Sequence, residues 1–161
     1  MGYSQENEHA EWAVESGLFD ALQTSFNLVD QRARYGLFDK ARARGMGIIA
    51  KHPIGNAAWS RALAGESAES QGGRTDERLR RARAMIDMGP LAGAPDDPIA
   101  LALGFVIAHP DAHTSIVGTR DHAHMLANIL AVEEQSPIAR EVVSELHRRF
   151  DAVGREWSAI D

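Results

Sequence analysis

The sequence predicts an α/β fold of parallel strands and helices, either an open doubly wound sheet or part of a (β/α)8 barrel. Short, continuously apolar runs recur along the chain, as expected of strands buried on both faces. Segments of helical period lie between them, so successive strands are joined by crossovers and pair in parallel. The length is 161 residues. A full barrel needs roughly 250, so about four of its eight units fit.

The elements follow in order. Residues 8–16 read as a helix, with Ala10, Ala13 and Val14 at helical spacing and Gly17 beyond its end. Residues 18–27 suit a strand around Ala21 and Leu22. Residues 32–44 are helical, with Leu37, Ala41 and either Tyr35 or Phe38 facing inward, and Gly45 stops them. Residues 46–50 form a short apolar run, a buried strand. After Lys51, His52 and Pro53 the pattern lapses, and 65–75, rich in Gly, Ser and Glu, reads as a mobile loop. Residues 76–88 are a basic helix, and 93–96 another loop. Asp97 and Pro98 start a helix over 99–108, with a capping carboxylate and proline in the first helical position. That helix is apolar almost all round and should be well buried. Residues 114–117 are a strand and Gly118-Thr119 a turn. The last helices cover 121–131 and 137–157. Tyr3-Ser4 reads as the stump of a first strand, and the whole chain as one domain.

Composition excludes several functions. The net charge of −6 argues against a sequence-independent grip on nucleic acid or an anionic membrane. With no cysteine there is no disulfide, thiolate metal site or Cys nucleophile. No apolar run approaches the roughly 20 residues of a membrane span. The first residues lack the basic and apolar regions of a signal peptide. The expectation is a soluble, cytoplasmic domain.

In either architecture ligands bind at the carboxyl ends of the strands. Val117-Gly118-Thr119-Arg120 leaves a strand and enters a helix. Glycine allows close backbone approach, the helix start offers N–H groups, and Arg120 and His124 add charge for a phosphate. A plain turn capped by Thr119 or Asp121 is the alternative. Lys51 after its strand is a binding cation, a Schiff-base former or a solvated charge. His52 is a base or simply a satisfied polar residue. The amides Gln23 and Asn27 read a ligand carboxamide or tie loops together. His109 and His113 are split by Pro110, and His122 and His124 point apart on a helix, so no metal site is expected. No G-x-G-x-x-G, P-loop or G-x-S-x-G is present.

Several stretches together resemble the aldo-keto reductase family. They are Gly2-Tyr3-Ser4, the run from Glu11 to Gly17, the run from Leu22 to Asp30, and Gly45-Met46-Gly47-Ile48-Ile49-Ala50-Lys51-His52-Pro53. Ile116-Val117-Gly118-Thr119-Arg120 with Asn128 resembles that family's cofactor-phosphate segment, and the run from Phe150 to Trp157 its C-terminal helix. The resemblance implies the C-terminal half of a (β/α)8 TIM barrel, with Gly2 to Ser4 at strand five, Gln23 on strand six, Ile48 to Lys51 on strand seven and Ser115 to Val117 on strand eight.

It also implies NADP(H) as cofactor. Ser4 and Gln23 would hold the nicotinamide carboxamide, with Gln5 where the family often has Asn. Lys51 stands where many members have a stacking Tyr. His52, Ile54 and Asn56 would lie along the pyrophosphate. Gly118, Thr119 and Arg120 would contact the adenosine phosphate. His124 matches a position often occupied by Arg, and Asn128 one that contacts adenine. The family's catalytic Asp, Tyr, Lys and His come from the first four strands and have no counterpart in this sequence.

The expectation is therefore an oxidoreductase fragment with an NADP(H) half-site, no catalytic residue of its own and no activity alone; whether the isolated chain binds NADP(H) is left open. The alternative is a non-catalytic nucleotide-binding or assembly module, or a vestigial half-barrel. A half-barrel leaves strand edges and an apolar inner face uncovered. Association with a second copy as a dimer, or with a complementing N-terminal half-barrel, is expected.

Overall fold

The computed structural model describes residues 7–68, 73–135, 137–158 and 160. Among these residues three strands form one parallel sheet in the order β1 (Ala21–Ser25), β2 (Gly47–Lys51), β3 (Thr114–Ile116). Leu22 lies opposite Ile48 and Ser25 opposite Lys51; Ile49 lies opposite Thr114 and Lys51 opposite Ile116. Each strand lies beside its sequence neighbour, as in a barrel; a doubly wound sheet reverses its order at a switch point. The expected strand at Gly2–Ser4 lies outside the described residues.

Seven helices accompany the sheet among the described residues: α1 (Asn7–Ser16), α2 (Leu37–Ala43), α3 (Ala58–Leu63), α4 (Gly73–Ile86), α5 (Pro98–Ile107), α6 (His122–Gln135) and α7 (Arg140–Val153). The single helix expected over 32–44 is divided. Arg32–Arg34 is a 3-10 turn, and Gly36, at φ 99°, starts α2 afresh. Leu37, Phe38 and Ala41 face inward as their spacing predicts, while Tyr35 stays on the surface. Helix α3 falls where no periodicity was legible. At six residues it is too short for a 3.6-residue repeat to show, yet it buries Ala58 and Trp59. Helix α4 starts at Gly73, inside the segment read as loop, and α7 ends at Val153, short of Trp157.

The core joins Leu22, Phe26, Leu37, Phe38, Ile48 and Ala50 to the buried faces of α5 and α7. Helix α5 is buried from Ala100 to Val106, and the Asp97 side chain accepts from Ile99 N at 2.8 Å, so the predicted cap is made. Gly104 lies against Ile138, where a Cβ would come within 2.5 Å of Cγ2. Helix α7 turns Val142, Leu146 and Phe150 inward. Helix α6 is different: Leu126, Ile129 and Leu130 stay 41–57% exposed, and Ile116 on the edge strand is 47% exposed.

Candidate functional site

The carboxyl ends of β1 and β2 meet through Ser25 and His52. The Ser25 hydroxyl lies 3.2 Å from His52 Nδ1. His52 leaves β2 at φ 55°, and Asn56 and Ala57 follow at φ 57° and 55°. Left-handed backbone at three non-glycine residues in six costs of order 1–3 kcal/mol each and is concentrated where ligands bind. The His52 ring pKa is held below its usual value, first by burial, then by Arg78 and Lys51. His52 is therefore a neutral imidazole near pH 7, fit to give or take a hydrogen bond.

Lys51 is buried, at 9% exposed, which removes the reading of a solvated strand-end charge. Gln23 sits in mid-strand opposite Ile49, half-buried. Asn27 serves the fold. Its side chain accepts from Val29 N at 3.0 Å, and its backbone exchanges two bonds with Asp30. Ile54 is half-buried and Asn56 exposed along the exit of β2. Ser4 and Gln5 lie outside the described residues.

The third strand end is open. Gly118 is exposed, with nothing within 4 Å of where a Cβ would stand, so it leaves the backbone bare. The Thr119 hydroxyl accepts from Asp121 N at 3.1 Å, and the Asp121 carboxylate accepts from Ala123 N at 2.8 Å. The start of α6 is thus already capped by a carboxylate, and an anion here must be held by a side chain. Arg120 is exposed and makes no ion pair among the described residues. His124 Nδ1 is 3.9 Å from the Asp121 carboxylate. Asn128 is half-buried and lines a groove of about 650 Å³ between α5, β3 and α6. The pairing of Lys51 with Ile116 sets this exit beside Lys51 and His52.

Lys51, His52, Ile54 and Asn56 thus lie at and beyond the end of β2, with Gln23 in mid-β1; Gly118, Thr119 and Arg120 follow β3, and His124 and Asn128 lie on α6. Sequence reasoning missed Ser25, whose link to His52 no local motif announces. It also missed the burial of Arg78 and Arg81, which lie on what read only as a basic helix but are 5% and 2% exposed. Two of the four histidines weighed as metal ligands are engaged elsewhere. His113 Nδ1 accepts from Ile48 N at 3.0 Å and His109 Nδ1 from Asp111 N at 3.3 Å. Among the described residues no group of three His, Asp or Glu could hold a metal ion, and no helix is long and apolar enough to cross a membrane.

Comparison with known proteins agrees with this geometry. The model of the aldo/keto reductase family matches residues 4–148. Among solved structures, the apo form of aldo-keto reductase AKR11C1 from Bacillus halodurans aligns with a TM-score of 0.69 at 17% identity, covering 92% of this chain and 49% of that one. The holo form aligns at 0.68 and 18%, covering 92% and 48%. The chain spans about half the length of these structures. No curated protein sequence matches it.

Proposed function

From the premise that this chain belongs to the aldo/keto reductase family, we propose that it is an oxidoreductase half-site for NADP(H), inactive by itself, whose catalytic groups come from a second half-barrel. The observation that carries the proposal is the bare exit of β3, whose Ile116 pairs with Lys51: Gly118 is exposed, Arg120 makes no ion pair among the described residues, and Asn128 lines the groove beside α6.

These residues fit a phosphorylated dinucleotide. Arg120 offers a planar fork to the 2′-phosphate, which the capped helix end does not supply. The Asn128 amide offers donors and an acceptor to adenine. His52, Ile54 and Asn56 would hold the pyrophosphate, and Gln23 and Lys51 the nicotinamide end. When bound, the cofactor supplies a hydride; the chain's own residues bind and orient it. No proton donor is assigned here. Tyr35 hydrogen-bonds Asp151 and its pKa is pushed up to about 12, by burial first and then by that carboxylate.

The test is selective loss. Arg120→Ala should weaken NADPH binding about tenfold and NADH by less than about twofold, as expected for one charge-assisted phosphate contact. Equal effects on the two cofactors would reject the 2′-phosphate assignment.

The exposed Ile116, Leu126, Ile129 and Leu130 favour an accompanying reading, that of an assembly partner. An apolar face beside an edge strand fits a second half-barrel, either another copy of this chain or a complementing N-terminal half.

A further inference from the structure

Ser25 and His52 stand at the ends of neighbouring strands, yet their contact breaks the alternation of strand side chains. Ser25 ends β1 opposite Lys51, the last residue of β2. Side chains alternate along a strand, and partners in register share a face. An extended His52, one residue past Lys51, would therefore point away from Ser25. Its φ is instead 55°, roughly half a turn about the N–Cα bond from the extended value. That rotation carries the ring to the side of Ser25, whose hydroxyl lies 3.2 Å from Nδ1.

Local sequence favours the opposite outcome. Pro53 follows, and the residue before a proline is pushed toward extended backbone. A non-glycine residue at positive φ is uncommon in any setting. The turn is held from both sides. Phe26 N donates to the Lys51 carbonyl at 3.3 Å, and Gly55 N donates to the His52 carbonyl at 2.9 Å. Backbone strain held in place this way clusters at ligand sites. Ser25 and His52 are both half-buried rather than enclosed.

A neutral imidazole carries one N–H, so one nitrogen donates and the other accepts. If the Ser25 hydroxyl donates to Nδ1, the ring proton sits on Nε2, a neutral donor that suits a phosphate oxygen. In the other tautomer Nε2 is an acceptor and offers a phosphate nothing. Resting on the NADP(H) half-site proposed above, we propose that Ser25 is a positioning residue. Its hydroxyl donates to His52 Nδ1 and holds the ring proton on Nε2, which would donate to the pyrophosphate of the dinucleotide. Burial, Arg78, Lys51 and Arg74 favour the neutral ring against the opposing Asp30.

Nitrogen-15 NMR of the histidine-labelled chain reads the tautomer before any ligand is added. At neutral pH the His52 signals, assigned by their loss in His52→Gln, should show Nδ1 bare and Nε2 protonated. Ser25→Ala should shift the ring toward the Nδ1–H form and weaken NADPH binding about fivefold. Ser25→Thr, which restores the hydroxyl, should return both. Adding Ser25→Ala to His52→Gln should cost less than about twofold more, because the serine acts through the ring. A proton on Nδ1 in the unaltered chain would overturn the proposal. So would a tautomer indifferent to Ser25→Ala, or additive losses in the double variant. The spectrum of the unaltered chain needs no variant, so a misfolded Ser25→Ala leaves the test standing. NADPH bound by a chain with the wrong tautomer would reject this inference alone. No NADPH binding by a folded chain would reject the half-site and the ligand of Nε2, and the spectrum would then judge the Ser25 hydrogen bond by itself.

Discussion

The imidazole of His147 packs edge-on against Phe105, ring centroids 5.4 Å apart, with Nε2 buried and unpartnered. Its pKa is pushed down to about 4, by burial first and then by Arg34 and His109; Asp151 opposes the shift. In the unfolded chain it returns to about 6.5. Between these values the unfolded state binds more protons than the folded one. Stability is therefore complete above about pH 6.5 and falls as the pH drops toward 4. His109, 6.4 Å from His147 and also held low by burial, adds to the same slope. Glu145, lowered to about 2 by Arg148 and Arg149, loses its stabilisation at lower pH. Thermal melts should show the melting temperature falling from pH 6.5 to 4, and His147→Phe should flatten that fall. A melting temperature unchanged across the window would contradict the buried neutral ring. At the same scale, little of the site was legible. Gly118 and Arg120 stand out because they follow an apolar run. The partners of Ser25 and Arg81 lie 27 and 77 residues away in sequence, and no local pattern encodes such pairs.

Elements were legible where burial is continuous. Helix α5 and strand β2 emerge within a few residues of expectation, because a continuous apolar run has few alternatives and Asp97-Pro98 marks the start of α5. The failures have local causes. Gly36 in left-handed backbone interrupts an otherwise helical pattern, and six-residue α3 is shorter than two turns. Packing also sets what α5 tolerates. Gly104→Ala keeps helix propensity but drives a methyl into Ile138. It should cost about 1–3 kcal/mol in denaturant unfolding, as overpacking does. A gain in stability instead would mean that α5 and the chain before α7 are not in contact there.

At the scale of the molecule, the sheet and its helices cover one side well and another poorly. The exposed apolar residues of β3 and α6 lie beside the groove that holds Asn128. The cofactor binding and the association proposed above would thus fall on adjoining surfaces. Light scattering should show self-association at micromolar concentration, and Leu126→Glu combined with Ile129→Glu should return the chain to monomer without unfolding it. A wild-type chain that stays monomeric would remove self-assembly and leave a complementing half-barrel as the partner. The cofactor half-site itself is tested most directly by calorimetric titration of the purified chain with NADPH. Saturable binding, at about one NADPH per chain and tighter than for NADH, is the expected result. The absence of any binding at millimolar NADPH, by a chain whose circular dichroism shows it folded, would contradict it.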